Sequence, residues 1–148
     1  MASPQQNNTQ VSIVNLTNNI YINSILNRAK WGSSASGVGI SLTYSFPDHS
    51  SVWASDYSSL NEPRASGYRG LNEIEKANVR LALEAWSNVC AVSFVEISET
   101  STQVGEIRFA YTSVFSGDGV MSGYSPSSLP AGGDVWIGSS IDWKNFAV

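Results

Sequence analysis

The sequence predicts an α/β domain, a twisted and mostly parallel sheet with helices layered on one side. Three observations predict it. The stretch "ISLTYSF", residues 40–46, alternates apolar and polar side chains, the period of a half-buried strand. "NEIEKANVRLALEAWSNV", residues 72–89, repeats apolar residues at helical spacing. Short apolar segments then return at 92–97, 106–111 and 134–138. A strand, a helix and strands returning through short links build this layering.

Size and composition bound the rest. A chain of 148 residues forms one domain with a core of useful size. Charged residues reach only 14%, against a typical quarter, so solubility rests on Ser, Asn, Thr and Gly. That bias suits secreted bacterial proteins and adhesive or carbohydrate-facing domains. A net charge of −4 without any Lys/Arg cluster excludes nucleic acid as a partner. No apolar run is long enough to cross a membrane. The opening "MASPQQNNTQVSIVNLTNNI" lacks the charged and apolar regions of a Sec signal peptide.

Taken in order, residues 1–19 read as a mobile polar lead-in. From Ile20, the positions Ile22, Ile25, Leu26 and Ala29 recur at helical spacing before Gly32. Residues 40–46 are the strand, with Ile40, Leu42, Tyr44 and Phe46 on one face, ended by Pro47. Residues 48–70 form a long surface excursion pinned by Trp53, Tyr57 and Tyr68. In the long helix, Ile74, Ala77, Leu81, Ala85 and Val89 are the expected buried face, opposite Glu73, Lys76, Arg80, Glu84 and Ser87. Asn72 and Glu75 form a capping box. Trp86 flanks the buried face and contributes roughly 2–3 kcal/mol by burial. Residues 92–97 are apolar on both faces. In "EIRFAY", Ile107, Phe109 and Tyr111 oppose Glu106 and Arg108; "DVWIG", residues 134–138, reads as a covered central strand. Val120–Tyr124 is a further strand, weakened by Gly119 and Gly123.

Composition and spacing offer little chemistry. One cysteine, Cys90, excludes a disulfide framework and a cysteine-based metal site. It reads as a small buried hydrophobe closing the helix. One histidine, His49, excludes a multi-histidine centre and reads as a surface residue. Glu73 and Glu75 serve the helix dipole. Asp118 in "SGDGV" and Asp134 in "GGDVW" are calcium candidates through oxygen ligation, against the simpler reading of turn-forming Asp. The residues alone lead to an α/β domain without a visible active site.

Four segments, however, form a collinear pattern. "KWGSSASGVGISLTYSFPD" resembles the entry of the serralysin-type zinc metalloproteases of the metzincin group. "LNEIEKANVRLALEAWSNVCAVSFVEIS" is similar to their backing helix and second strand, "VGEIRFAY" to the third strand, and "GGDVWIG" to the strand before their active site. The resemblance covers about residues 20–141. It implies a metzincin-like N-terminal subdomain: a twisted, mixed five-stranded sheet, four strands parallel and one antiparallel edge strand, backed by helices. The edge strand corresponds to Val120–Tyr124, so Met121, Ser122, Gly123 and Tyr124 are the implied substrate-binding residues, pairing with an extended peptide.

The chain departs from the family's pattern: the zinc motif, the Met-turn and the calcium-binding glycine-rich repeats are all missing from it. The His-Glu-x-x-His-x-x-Gly-x-x-His motif that carries zinc and the general base occurs nowhere in it. It ends at Val148, where the resemblance places the zinc helix. The expectation is therefore the N-terminal portion of a secreted zinc metalloendopeptidase, inactive alone. Zinc belongs to the complete enzyme, calcium is possible, and the partners are a peptide or protein substrate and the C-terminal half of the same catalytic domain. The alternative is a peptide- or partner-binding module without metal. A third reading, an adhesive β-rich domain, explains the composition and not the collinear segments.

Overall fold

In a computed structural model, residues 9–35, 37–115 and 121–141 are described. The described chain contains seven strands, two α-helices and one 3-10 turn. Strands β1 (Val11–Ile13) and β2 (Ala29–Trp31) pair antiparallel around helix α1 (Ile20–Ile25). The main sheet holds β3 (Ile40–Ser45), β4 (Val92–Glu96), β5 (Ile107–Thr112), β6 (Met121–Gly123) and β7 (Val135–Gly138). Its order is β4-β3-β5-β7-β6. Four strands run parallel, and β6 alone runs antiparallel, at the edge. The fold is therefore α/β with a mixed, mostly parallel five-stranded sheet.

Helix α2 (Glu73–Val89) crosses from β3 to β4 and lies on one face of the sheet. Its start is fixed as its sequence requires. The Asn72 side chain accepts from the Ile74 and Glu75 amides, and the Glu75 carboxylate accepts the Asn72 N–H at 2.7 Å. The Asn19 side chain caps α1 in the same way, through the Tyr21 and Ile22 amides.

One core lies under α2, formed by Leu42, Tyr44, Leu71, Ile107, Phe109, Tyr111 and Ile137. The alternation in β3 and β5 places those side chains there. The opposite face is covered by the 48–70 excursion, where Ala54 and Tyr57 pack on Ala110, Ala131 and Trp136. The Trp53 and Trp136 rings lie 5.2 Å apart. Sheet burial is thus two-sided in β5, whose six residues are all buried.

Several sequence expectations are corrected. The face of α2 expected inside points outward, with Ile74 72% and Val89 76% exposed and Leu81 also exposed. Val79 and Leu83 pack on the core instead. Trp86 is 61% exposed, so its expected contribution from burial is not realised. The α1 helix ends at Ile25 and Ala29 belongs to β2; no α1 residue is buried, and α2 packs against β4. Val11–Ile13, within the expected lead-in, form a strand. Glu106 and Arg108, on the expected polar face of β5, are both buried. Cys90, expected to be buried, is exposed.

Candidate functional site

The outermost strand on one side of the sheet is β6, the segment expected to hold substrate. Its register with β7 sets Met121 against Ile137, Ser122 against Trp136 and Gly123 against Val135. The Tyr124 amide donates to the Asp134 carbonyl at 2.9 Å. Antiparallel ladders alternate bonded and non-bonded pairs. With Tyr124 a bonded position, Ser122 is the next, and the main-chain groups of Met121 and Gly123 point away from β7. Among the described residues no strand pairs with those N–H and C=O groups, which have the geometry to receive an added strand. A methyl group on Gly123 would meet only Val135, at 4.0 Å, so the edge is uncrowded there. Val120 and Asp118 lie outside the described residues.

The four implied substrate-binding residues divide by side chain. Met121 reaches an apolar groove of about 420 Å³ between α2 and the sheet, lined also by Leu83, Trp86, Phe94, Phe109 and Ile137. Ser122 is half-buried. Tyr124 packs on the opposite face, beside the Tyr57–Trp136 cluster. Its hydroxyl donates to Glu62 Oε1. Burial, followed by that carboxylate, raises its pKa.

Beneath the edge lie two fully buried carboxyl groups, Glu62 and Asp134. Asp134 accepts the Tyr57 hydroxyl at 2.6 Å and the Arg108 amide at 3.0 Å, and Trp136 Nε1 donates to the Tyr57 hydroxyl at 3.0 Å. Desolvation pushes its pKa up to about 8, against the Arg108 charge and the Tyr57 hydrogen bond. The Tyr57 hydroxyl is likewise raised, by burial first and by Asp134 second. With both oxygens engaged and no exposure, Asp134 faces the protein interior and not a solvent-accessible ion site.

A second buried group balances its own charge. Arg108 forms two hydrogen bonds with Glu99, Nε to Oε1 at 2.8 Å and Nη2 to Oε2 at 2.7 Å. Its guanidinium stacks 3.4 Å from the Trp53 ring centroid. This pair ties the loop after β4 to the central strand.

The remaining candidates are dispersed. His49 is exposed, with its ring edge-on to Tyr68 at 5.8 Å. Cys90 caps the end of α2, where its amide donates to the Trp86 carbonyl. Glu73 pairs with Lys76, which lowers its pKa. Burial raises the pKa of Glu75, but the Arg69 guanidinium, the Asn72 amide and the Tyr111 hydroxyl outweigh it and hold the carboxyl below its ordinary range. Among the described residues, no group of three His, Cys, Asp or Glu side chains could hold a metal ion. No described helix is long and apolar enough to cross a membrane.

Glu62 is the residue that sequence reading misses. It sits in "SLNEPRAS", a polar loop without periodicity, and its partner Tyr124 lies 62 positions away. Only Pro63, which stiffens the turn after it, hints at a built structure. No protein-family model matches the sequence, and comparison with curated proteins gives no match.

Proposed function

We propose that this chain provides the sheet scaffold and the substrate-binding edge strand of a secreted, serralysin-like zinc metalloendopeptidase. The observation that carries the reading is β6, a single antiparallel edge strand on an otherwise parallel sheet, with the main-chain groups of Met121 and Gly123 turned outward. A peptide in extended conformation adds to such an edge through backbone hydrogen bonds, which makes binding tolerant of side-chain sequence. The collinear order of the four resembling segments supports the same reading.

The residues present do not fit the family's zinc. One exposed histidine and no ligating cluster among the described residues cannot supply a tetrahedral site with three protein ligands. The metal and its base belong to polypeptide carrying the His-Glu-x-x-His motif, the C-terminal half of the same catalytic domain. The chain by itself holds peptide and does not cleave it. The test is complementation: this chain is mixed with the C-terminal half of a serralysin catalytic domain and with zinc, and hydrolysis of a fluorogenic peptide is followed. Hydrolysis only when both halves are present is the expected result. Peptide capture without hydrolysis in any mixture favours the second reading, a peptide- or partner-binding module, which the absent ligand set supports. Zinc-dependent cleavage by this chain alone contradicts both.

A further inference from the structure

We propose that Glu62 is the positioning residue of the edge strand, acting through Tyr124 to hold Met121 and Gly123 where an incoming peptide meets them. The proposal rests on β6 being the peptide-binding edge. β6 is three residues long and, among the described residues, paired on one side only. Its last paired residue, Gly123, brings no side chain to the packing, so the three-residue ladder alone holds it weakly. The residue after it is held firmly. The Tyr124 amide bonds to Asp134, and its hydroxyl donates to Glu62 Oε1.

Glu62 is built to receive it. The residue is wholly buried. Its second carboxylate oxygen accepts the Ser58 hydroxyl, and its main-chain carbonyl accepts Thr112 Oγ1 at 3.1 Å. Thr112 belongs to the central strand β5 and is itself fully buried. The main chain around Glu62 is fixed by Asn61, at φ 55°, and by Pro63 in the turn Glu62–Arg64. Nearby Arg64 points elsewhere, to Asn61 and the Ala54 carbonyl. No cation pairs with Glu62 among the described residues. Its carboxylate is therefore satisfied by two hydroxyl groups, and loss of either leaves a buried oxygen without a donor, a costly state. Tyr124 is thus locked to the centre of the sheet through a side chain 62 positions away. The lock sits one residue from Gly123, whose outward N–H and C=O define the edge. The 48–70 excursion thereby becomes part of the binding apparatus.

The test uses the full chain and three substitutions, Tyr124→Phe, Glu62→Gln and Glu62→Leu. Amide hydrogen exchange is read at Ser122 and Tyr124, and at Ala110 and Ile137, whose main chains join β5 to β7, as central controls. Binding of a fluorescein-tagged, capped heptapeptide of alternating alanine and threonine is read in parallel. Tyr124→Phe is expected to speed exchange at Ser122 and Tyr124 by about tenfold or more, to leave Ala110 and Ile137 within about twofold, and to weaken the peptide by a similar factor. Glu62→Leu should do the same. Glu62→Gln, whose amide oxygen still accepts the phenol, should restore both readouts. Unchanged exchange at Ser122, an equal rise at the central controls, or damage from Gln equal to that from Leu would overturn the proposal. Faster exchange at the edge with unaltered peptide affinity would sink the peptide-binding reading of β6 and leave only a structural lock.

Discussion

Replacing Asp134 by Asn should remove most of the protein's loss of stability between pH 5 and pH 8. The carboxyl has a pKa of about 8 in the fold against an ordinary value of 3.8, so the folded chain binds a proton there that the unfolded chain has released. Stability falls with rising pH wherever the folded state binds more protons. The contribution is therefore intact below pH 3.8, declines from there, and is fully withdrawn above pH 8. At about 1.36 kcal/mol per pH unit, the interval from pH 5 to pH 8 removes on the order of 3–4 kcal/mol. That is a large share of the stability of a small domain. Glu75 and Glu96, whose pKa values are lowered, act with the opposite sign and mainly below pH 4.5, outside this window. Urea unfolding followed by tryptophan fluorescence at pH 5.0, 6.5 and 8.0 measures the slope. Wild type should lose stability steadily across the three conditions and Asp134→Asn should be nearly flat. A variant with the wild-type slope, or a wild type that gains stability toward pH 8, refutes the reasoning.

Other perturbations address the fold that carries the edge. Glu99→Ala strands the Arg108 guanidinium, whose side chain is 3% exposed, and should cost about 3–5 kcal/mol in urea unfolding. The loss should persist in high salt because the pair is shielded from solvent. Gly133→Ala should cost more than about 2 kcal/mol, since φ is 88° there and a methyl group would sit 2.3 Å from the Trp31 ring; thermal denaturation reads it directly. Ile74→Gln on the outer face of α2 should fall within about 0.5 kcal/mol of wild type, while Ile137→Ala in the core should cost about 2–5 kcal/mol. The reverse order would restore the helix orientation read from the sequence.

That orientation shows where sequence reading reaches its limit. Strands β3, β5 and β7 were legible because alternation or a short apolar run marks them, and α2 because its capping box and period agree. Which face of α2 meets the sheet was not legible. Ile74, Leu81 and Val89 form one apolar stripe and Val79, Leu83 and Trp86 another, so the helix is apolar around much of its girth. Periodicity identifies a helix, but it does not choose between two stripes. The sheet makes the choice, through Phe94, Phe109 and Ile137.

Of the candidate site only the strand was legible: a resemblance implied an antiparallel edge strand at 120–124, and Met121–Gly123 form one. The groups beneath the edge were not legible. Tyr57 meets Asp134 across 77 positions and Glu62 meets Tyr124 across 62, and neither pairing leaves a local pattern. Arg108 and Glu106 looked like a solvated face because alternation reports only which residues share a side. It does not report that an aromatic-rich loop, residues 48–70, covers that side.

The central claim is that β6 offers its main chain to an extended peptide. Backbone amide shifts of the full chain, recorded as the capped heptapeptide is added, test it most directly. The largest movements are expected at Met121 and Gly123, with smaller ones at Ser122 and Tyr124 and none along β4. Movements centred on Val92–Glu96, the opposite edge, or none at millimolar peptide, would contradict it.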